Sequence, residues 1–324
     1  MTKPLALVIG ATGGVGGAIA GRLVQDGWRV RAPHRDPDRA RATGGRPGLE
    51  WTPGDAMDAA SIVAAADGAE IVVHAVNPPG YRNWAGLQAP MLASSIAAAR
   101  ASGARLLFPG TVYNYGPDAF PAIAETAPQS PVSRKGAIRV QMERVLREAD
   151  VPVLLVRAGD FFGPRPGNNW FSQGLVRPGR PIGAVSYPGP LDVAHAWAYL
   201  PDVAEAFVRL LRTPLGGFEA FHLRGQVLTG HEMVAALEAA ADRRLAVRRL
   251  PWMAIAAAAP FNETLREMRE MRYLWRRPVL LANDRIVAAL GEEPHTPIVE
   301  ALRATLAGQG SLPGSGPGAL RKAA

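Results

Sequence analysis

Short apolar, β-rich runs alternate with longer stretches of helical spacing through the first half of the chain. Leu5 to Ile9, Arg29 to Ala32, Ile71 to His74, Leu106 to Phe108 and Val153 to Val156 read as strands, and a third strand in chain order precedes Gly54. Strands separated by helices form a parallel sheet covered on both faces, so the expected fold class is α/β with a doubly wound sheet. One helix is explicit in the spacing: Ile138, Met142, Val145, Leu146 and Ala149 recur on one face of a segment from Ala137 to Ala149.

The texture changes after Gly163. Pro164, Pro166, Pro178, Pro181, Pro188 and Pro190 punctuate a loop-rich stretch with glycines and aromatics, which marks the start of a smaller C-terminal lobe. Helices are expected near Val203 to Leu211, His231 to Ala241 and Pro297 to Leu306. The expected division is a first unit over 1–163, with 191–212 returning to it, a lobe mainly over 164–307, and a disordered tail over 308–324 that has little to bury.

Composition narrows the function. The 324 residues include no cysteine, which excludes disulfides, thiolate catalysis and cysteine-held metal clusters, and no ligand spacing suggests a metal. The net charge of +8 comes mainly from arginines spread over three regions, with no reader motif beside them, so neither nucleic acid nor membrane is an expected partner. The apolar runs at Leu5 to Ile9 and Met253 to Pro260 are too short for a signal core or a membrane span, so a cytoplasmic location is expected.

Gly10-Ala11-Thr12-Gly13-Gly14-Val15-Gly16 follows the first strand directly and opens a helix. Glycine is needed there because a backbone must approach a pyrophosphate closely while the helix N-terminus offers its amides. Dinucleotide binding in a Rossmann-type unit follows. The second strand ends in His34-Arg35, where a protein choosing NAD carries an acid for the ribose hydroxyl; Arg35, with Arg31 or His34 near it, suits a 2′-phosphate, so NADP(H) is preferred over NAD(H). Pairing of Arg35 with Asp36 or Asp38 is the competing explanation. Asp55, with Ala56, is placed to accept from the adenine amino group or to cap a turn.

These residues resemble the extended and atypical short-chain dehydrogenase/reductase superfamily, which includes nucleotide-sugar epimerases and dehydratases. The resemblance also takes in Ala75-Val76-Asn77 beneath the cofactor, Phe108-Pro109-Gly110-Thr111 leading to Tyr115-Gly116-Pro117, Arg157 to Pro164, Pro201-Asp202-Val203-Ala204 and Leu290-Gly291. It implies a small-molecule substrate, and a homodimer packed through helices is common in the family.

In that superfamily a Ser or Thr after the strand binds the reacting oxygen, which matches Thr111, and a YxxxK pair follows on the next helix. Here the pair is Lys135-Gly136-Ala137-Ile138-Arg139: the tyrosine is missing and the lysine has become arginine. Lys135, Arg139 and Glu143 share one helix face. The helix dipole and the neighbouring cation would favour Lys135 as a proton acceptor, with Arg139 keeping the ribose-holding role. Alternatively Arg139 pairs with Glu143 and Lys135 is solvated.

Tyr113 and Tyr115 offer another route for the proton, and steroid and iridoid enone reductases of the superfamily also lack YxxxK while carrying a Gly-Thr…Tyr…Gly-Pro segment. Asn168, Asn169, Trp170, Tyr187, His195 and Trp197 are available to line a lobe pocket. Two functions remain: an NADP-dependent oxidoreductase or epimerase acting at a carbonyl or alcohol carbon, and a non-catalytic NADP-sensing regulator.

Overall fold

The computed structural model describes residues 3–44, 47–78, 83–165, 167 and 169–312. Strands β1 (Leu5–Ile9), β2 (Arg29–His34), β3 (Leu49–Pro53), β4 (Ile71–His74) and β5 (Arg105–Thr111) alternate with helices α1 (Gly14–Gln25), α2 (Pro37–Gly44), α3 (Ala59–Ala65) and α4 (Trp84–Ser102). Strand β6 (Ala122–Ile123), helix α5 (Arg134–Glu148), strands β7 (Val153–Ala158), β8 (Asp160–Phe162), β9 (Ala184–Tyr187) and β10 (Ala194–Tyr199), helix α6 (Leu200–Leu210) and strand β11 (Phe218–His222) follow.

Seven strands form the central sheet in the order β11-β7-β5-β4-β1-β2-β3, and every neighbouring pair is parallel. Successive strands run outward in opposite directions from β1 and β4, so the crevice beyond their C-terminal ends is the switch point at which such sheets bind ligands. Ile9 and His74 lie side by side there.

Burial explains the apolar runs. Ile19, Leu23 and Phe207 cover one face of the sheet, and Ile62, Leu92, Ile96, Met142 and Leu146 cover the other. With helices on both faces, β1, β4 and β7 are buried throughout, which removes the alternation a half-exposed strand would show.

The lobe has its own core around Phe162, Phe171, Tyr187, Trp197, Trp275 and Leu302. It adds strand β12 (Gln226–Thr229), helix α7 (Gly230–Ala241), strand β13 (Ala246–Arg249), helices α8 (Trp252–Ala258) and α9 (Glu263–Glu270), strand β14 (Leu280–Leu281), and helices α10 (Asp284–Leu290) and α11 (Ile298–Gly308). Sheet β12-β10-β8 and the pairs β13-β9 and β14-β6 hold these pieces together.

Three expectations are revised. Helix α5 starts at Arg134, three residues earlier than the expected Ala137, because Ser133 caps it by accepting from the Gly136 amide at 3.1 Å. The chain returning to the central sheet continues past residue 212, since β11 pairs with β7 from Phe218 opposite Val153 to His222 opposite Arg157. The tail is not disordered from residue 308: Gln309 and Ser311 are buried, and Gln309 Nε2 donates to the Gly163 carbonyl at 2.9 Å. Residues 313–324 and Asn168 lie outside the described residues. No helix among the described residues is long and apolar enough to cross a membrane.

Candidate functional site

The glycine loop sits at the switch point. Gly10 has φ of 93°, and a Cβ there would stand 2.5 Å from the Ala75 carbonyl oxygen; a Cβ on Gly16 would stand 2.4 Å from the Gly10 oxygen. Both positions therefore demand glycine, and α1 lies tight against the strand ends. Gly13 stands at the N-cap of α1, where it can supply no side-chain cap of its own.

A cleft of about 300 Å³ runs beside this turn, lined among others by Gly10, Thr12, His34, Arg35, Asp55 and Ala56. Gly13, Gly14 and Gly16 build the turn without lining the cleft. Arg35 is exposed at its lip and makes no ion pair among the described residues. Its competing acids are engaged elsewhere: Asp36 Oδ1 accepts from the Arg39 amide at 2.9 Å, and Asp38 pairs with Arg41 at 2.6 Å. Arg31 turns away and donates to the Ala65 and Asp67 carbonyls, while the His34 ring lies 2.7 Å from the Asp36 carbonyl. Asp55 acts as a turn cap, with Oδ1 accepting from the Met57 amide at 3.0 Å.

A second cavity, of about 370 Å³, meets the first along Val76 and Asn77. Val15, Ala75, Thr111, Tyr113, Lys135 and Arg139 line it from the nucleotide-binding side, while Asp160, Phe161, Trp170, Glu267, Met268 and Met271 line it from the lobe. His74 also borders it; burial first, then the charge on Arg139, pushes its imidazole down to about 3, so it is neutral there.

Four of the five expected catalytic residues meet in this cavity. Thr111 caps the short turn Val112–Asn114, its Oγ1 accepting from the Tyr113 amide at 3.3 Å. Tyr113 donates its phenolic hydrogen to Asp160 Oδ1 at 3.2 Å, and Asp160 Oδ2 lies 2.8 Å from His195 Nε2. The His195 ring is buried, stacks on Trp275 with centroids 3.8 Å apart, and turns Nδ1 to the Leu274 carbonyl at 3.2 Å.

Tyr115 is elsewhere. It is fully buried, its hydroxyl 3.1 Å from His222 Nε2, and burial raises its phenol to about 12. Its place is structural.

The α5 face divides. Arg139 Nη2 donates to Asn77 Oδ1 at 3.1 Å, at the seam of the two cavities, and its guanidinium lies over Trp84 and Phe108. Glu143 does not pair with Arg139; it is held by Arg157 at 2.6 Å and Gln129 at 2.8 Å. Lys135 is neither solvated nor left with cations alone, because Glu267 of α9 meets its Nζ at 2.9 Å. That helix is clasped at three points: Glu263 accepts from the Asn83 amide, Glu267 holds Lys135, and Glu270 accepts from the Arg134 amide at 3.0 Å. The three acids stand at i, i+4 and i+7, one face of α9, so the helix roofs the cavity.

Of the lobe residues named from sequence, Asn169 and Trp170 line the cavity, Tyr187 and Trp197 are buried in the lobe core, and His195 reaches it through Asp160. Asp160 and Glu267 were not among the expected site residues. Asp160 stood inside the quoted Arg157 to Pro164 motif, and Glu267 carried no sequence signal. No group of acids and histidines among the described residues could hold a metal ion.

A sequence profile of the NAD dependent epimerase/dehydratase family matches residues 6–222. The chain belongs to that family. Its cofactor is accordingly a nicotinamide dinucleotide, and the site fits one: Gly10, Ala11 and Thr12 of the glycine loop line the first cleft, and the second cavity, which shares Val76 and Asn77 with it, is lined by Thr111 and Tyr113. A 3-diazoavenalumate denitrifying reductase of a Streptomyces species is 30% identical over 179 residues, 50% of this chain and 57% of that protein. The chain thus spans little more than half the length of the curated relatives it matches.

Solved family structures share the fold. UDP-glucose 4-epimerase from Bifidobacterium longum, in complex with NAD+ and UDP, superimposes with a TM-score of 0.69 at 16% identity, over 93% of this chain and 97% of that one. The Thermotoga maritima UDP-glucose 4-epimerase with UDP-glucose gives 0.71 at 16%, over 98% and 99%. At this identity the likeness is one of fold.

Proposed function

We propose that the protein is an NADP(H)-dependent oxidoreductase acting on a carbonyl or alcohol carbon of a small molecule. The observation that carries this is the convergence of Thr111, Tyr113, Lys135 and Arg139 on one cavity that shares Val76 and Asn77 with the dinucleotide cleft. The reductase among the relatives supports oxidoreduction, and the exposed Arg35 at the cleft lip, without an ion pair among the described residues, supports the phosphorylated dinucleotide.

When bound, the reduced dinucleotide supplies a hydride to the carbonyl carbon and is itself oxidised, so the protein must deliver one proton to the oxygen. Thr111 orients that oxygen through its hydroxyl. Tyr113 Oη gives the proton, taking the place of the tyrosine missing from α5.

Behind it, Asp160 accepts from Tyr113 on Oδ1 and meets His195 Nε2 on Oδ2 at 2.8 Å, and His195 Nδ1 faces the Leu274 carbonyl at 3.2 Å. This buried chain is the route by which Tyr113 regains its proton. Lys135, paired with Glu267, positions the roof helix, and Arg139 holds the ribose end beside Asn77.

Helices α4 and α5 also frame a groove lined in part by Leu92, Ile96, Ile138 and Val145, which supports a homodimer packed through these helices. The test of the function is direct. Purified protein should consume NADPH with a panel of aldehydes and ketones, and Thr111→Val should slow that turnover about a hundredfold; a panel that gives no turnover leaves a dinucleotide-sensing regulator instead.

A further inference from the structure

The charges around the catalytic cavity are distributed in an unexpected way for a chain of this family. A nucleotide-linked substrate brings a diphosphate, which proteins hold with arginine forks or a helix N-terminus. Among the described residues the lobe contributes no cation to the cavity wall; its charged groups there are the carboxylates of Asp160 and Glu267. Both cations that border the cavity, Lys135 and Arg139, stand on α5, and Lys135 is ion-paired to Glu267 at 2.9 Å. Arg177, Arg180 and Arg276 of the lobe are exposed and do not line it.

Beside the uncharged Asn169, Gln173 and Thr264, the lobe offers a set of apolar side chains. Phe161, Trp170, Met268 and Met271 line the cavity together with Trp84, and Trp170 is braced edge-on against Trp275 with centroids 5.5 Å apart. Methionine thioethers adapt to ring faces and edges, and a braced indole gives a rigid stacking plane. The volume is small as well: about 370 Å³ must also receive the nicotinamide end, which leaves room for roughly one or two rings.

We propose that this cavity takes an apolar carbonyl compound of one or two rings that carries no phosphate, in place of a nucleotide-linked sugar. This rests on the reading of the protein as a dinucleotide-dependent oxidoreductase. The ring packs between Trp170 and the two methionines, with its carbonyl oxygen directed to Thr111 and Tyr113.

The test is a titration of the full chain, saturated with NADP+, followed by tryptophan fluorescence. The probes are 2-acetonaphthone, UDP and UDP-glucose, with NADPH binding measured on the same preparation. The expected result is saturable binding of 2-acetonaphthone and none of UDP or UDP-glucose. Trp170→Ala should weaken the ketone about tenfold and Trp170→Phe should largely restore it, with NADPH affinity unchanged in both.

Binding of UDP-glucose more tightly than 2-acetonaphthone, or of neither while NADPH binds, overturns the substrate class and leaves the oxidoreductase reading in place. Absence of NADPH binding overturns both.

Discussion

His195 and Asp160 face each other at 2.8 Å inside the lobe, both buried, with the imidazole stacked flat on Trp275. Nδ1 of the same ring faces the Leu274 carbonyl at 3.2 Å, so both ring nitrogens have polar neighbours. His195→Gln keeps a donor toward Asp160 but cannot pass a proton on. We expect turnover of the carbonyl substrate to fall about a hundredfold, with KM and NADPH affinity little changed. Turnover within a factor of two or so of the parent's would remove His195 from the proton path.

Tyr113 and Tyr115 are separable by the same assay. Tyr113→Phe removes the hydroxyl that meets Asp160, and kcat should drop by about two orders of magnitude. Tyr115→Phe removes a buried bond to His222, so it should cost about 1 kcal/mol in denaturant unfolding while kcat stays within a factor of two or so. The reverse pattern would assign the proton donor to Tyr115.

These two tyrosines also show where the sequence stops being legible. Their spacing from Thr111 is too similar to separate them, and what does so is the tight turn Val112–Asn114: with about three residues per turn, positions 113 and 115 leave it on different sides. The need for glycine in the first loop could be read because it is local, a backbone that comes close to Ala75. The partner of Lys135 could not, because Glu267 arrives from a helix far along the chain and only tertiary packing brings it within 2.9 Å. The face shared by Lys135, Arg139 and Glu143 was visible from spacing, but the partners that split it, Glu267, Asn77 and Arg157, all come from other elements.

Cofactor choice is tested at Arg35, which is exposed at the lip of the nucleotide cleft and free of any acid among the described residues. A guanidinium to phosphate contact contributes about 1.5 to 3 kcal/mol. Arg35→Ala should therefore weaken NADPH at least about tenfold and leave NADH nearly unchanged, as measured by calorimetry. Equal losses for both dinucleotides would mean that Arg35 does not select the phosphorylated one.

The roof over the cavity depends on Lys135 and Glu267, a pair with side chains only 11% and 10% exposed. Removing one partner of such a pair costs about 3 kcal/mol, whereas replacing both by apolar groups is often near neutral. Glu267→Gln should lower the denaturant midpoint and raise KM more than it lowers kcat. The double change Lys135→Met with Glu267→Leu should recover stability but not KM. Recovery of neither would show that the pair does not act as a unit.

Acid sensitivity follows from two buried histidines. His74 and His222 both have their imidazoles pushed down to about 3, by burial first and then by Arg139 and Arg157 respectively. In the unfolded chain each titrates at about 6.5. Between these values the unfolded state binds more protons than the folded one, so stability is complete above about pH 6.5 and is lost as pH falls toward 3. Each histidine contributes a slope of about 1.4 kcal/mol per pH unit in that window. His222→Gln keeps an acceptor for Tyr115 and Arg157 but has nothing to protonate. It should lower stability at pH 7 and reduce the fall in urea-unfolding free energy between pH 6 and 4 by that one slope. A variant whose stability falls as steeply as the parent's over this range would show that His222 is not held neutral in the folded protein.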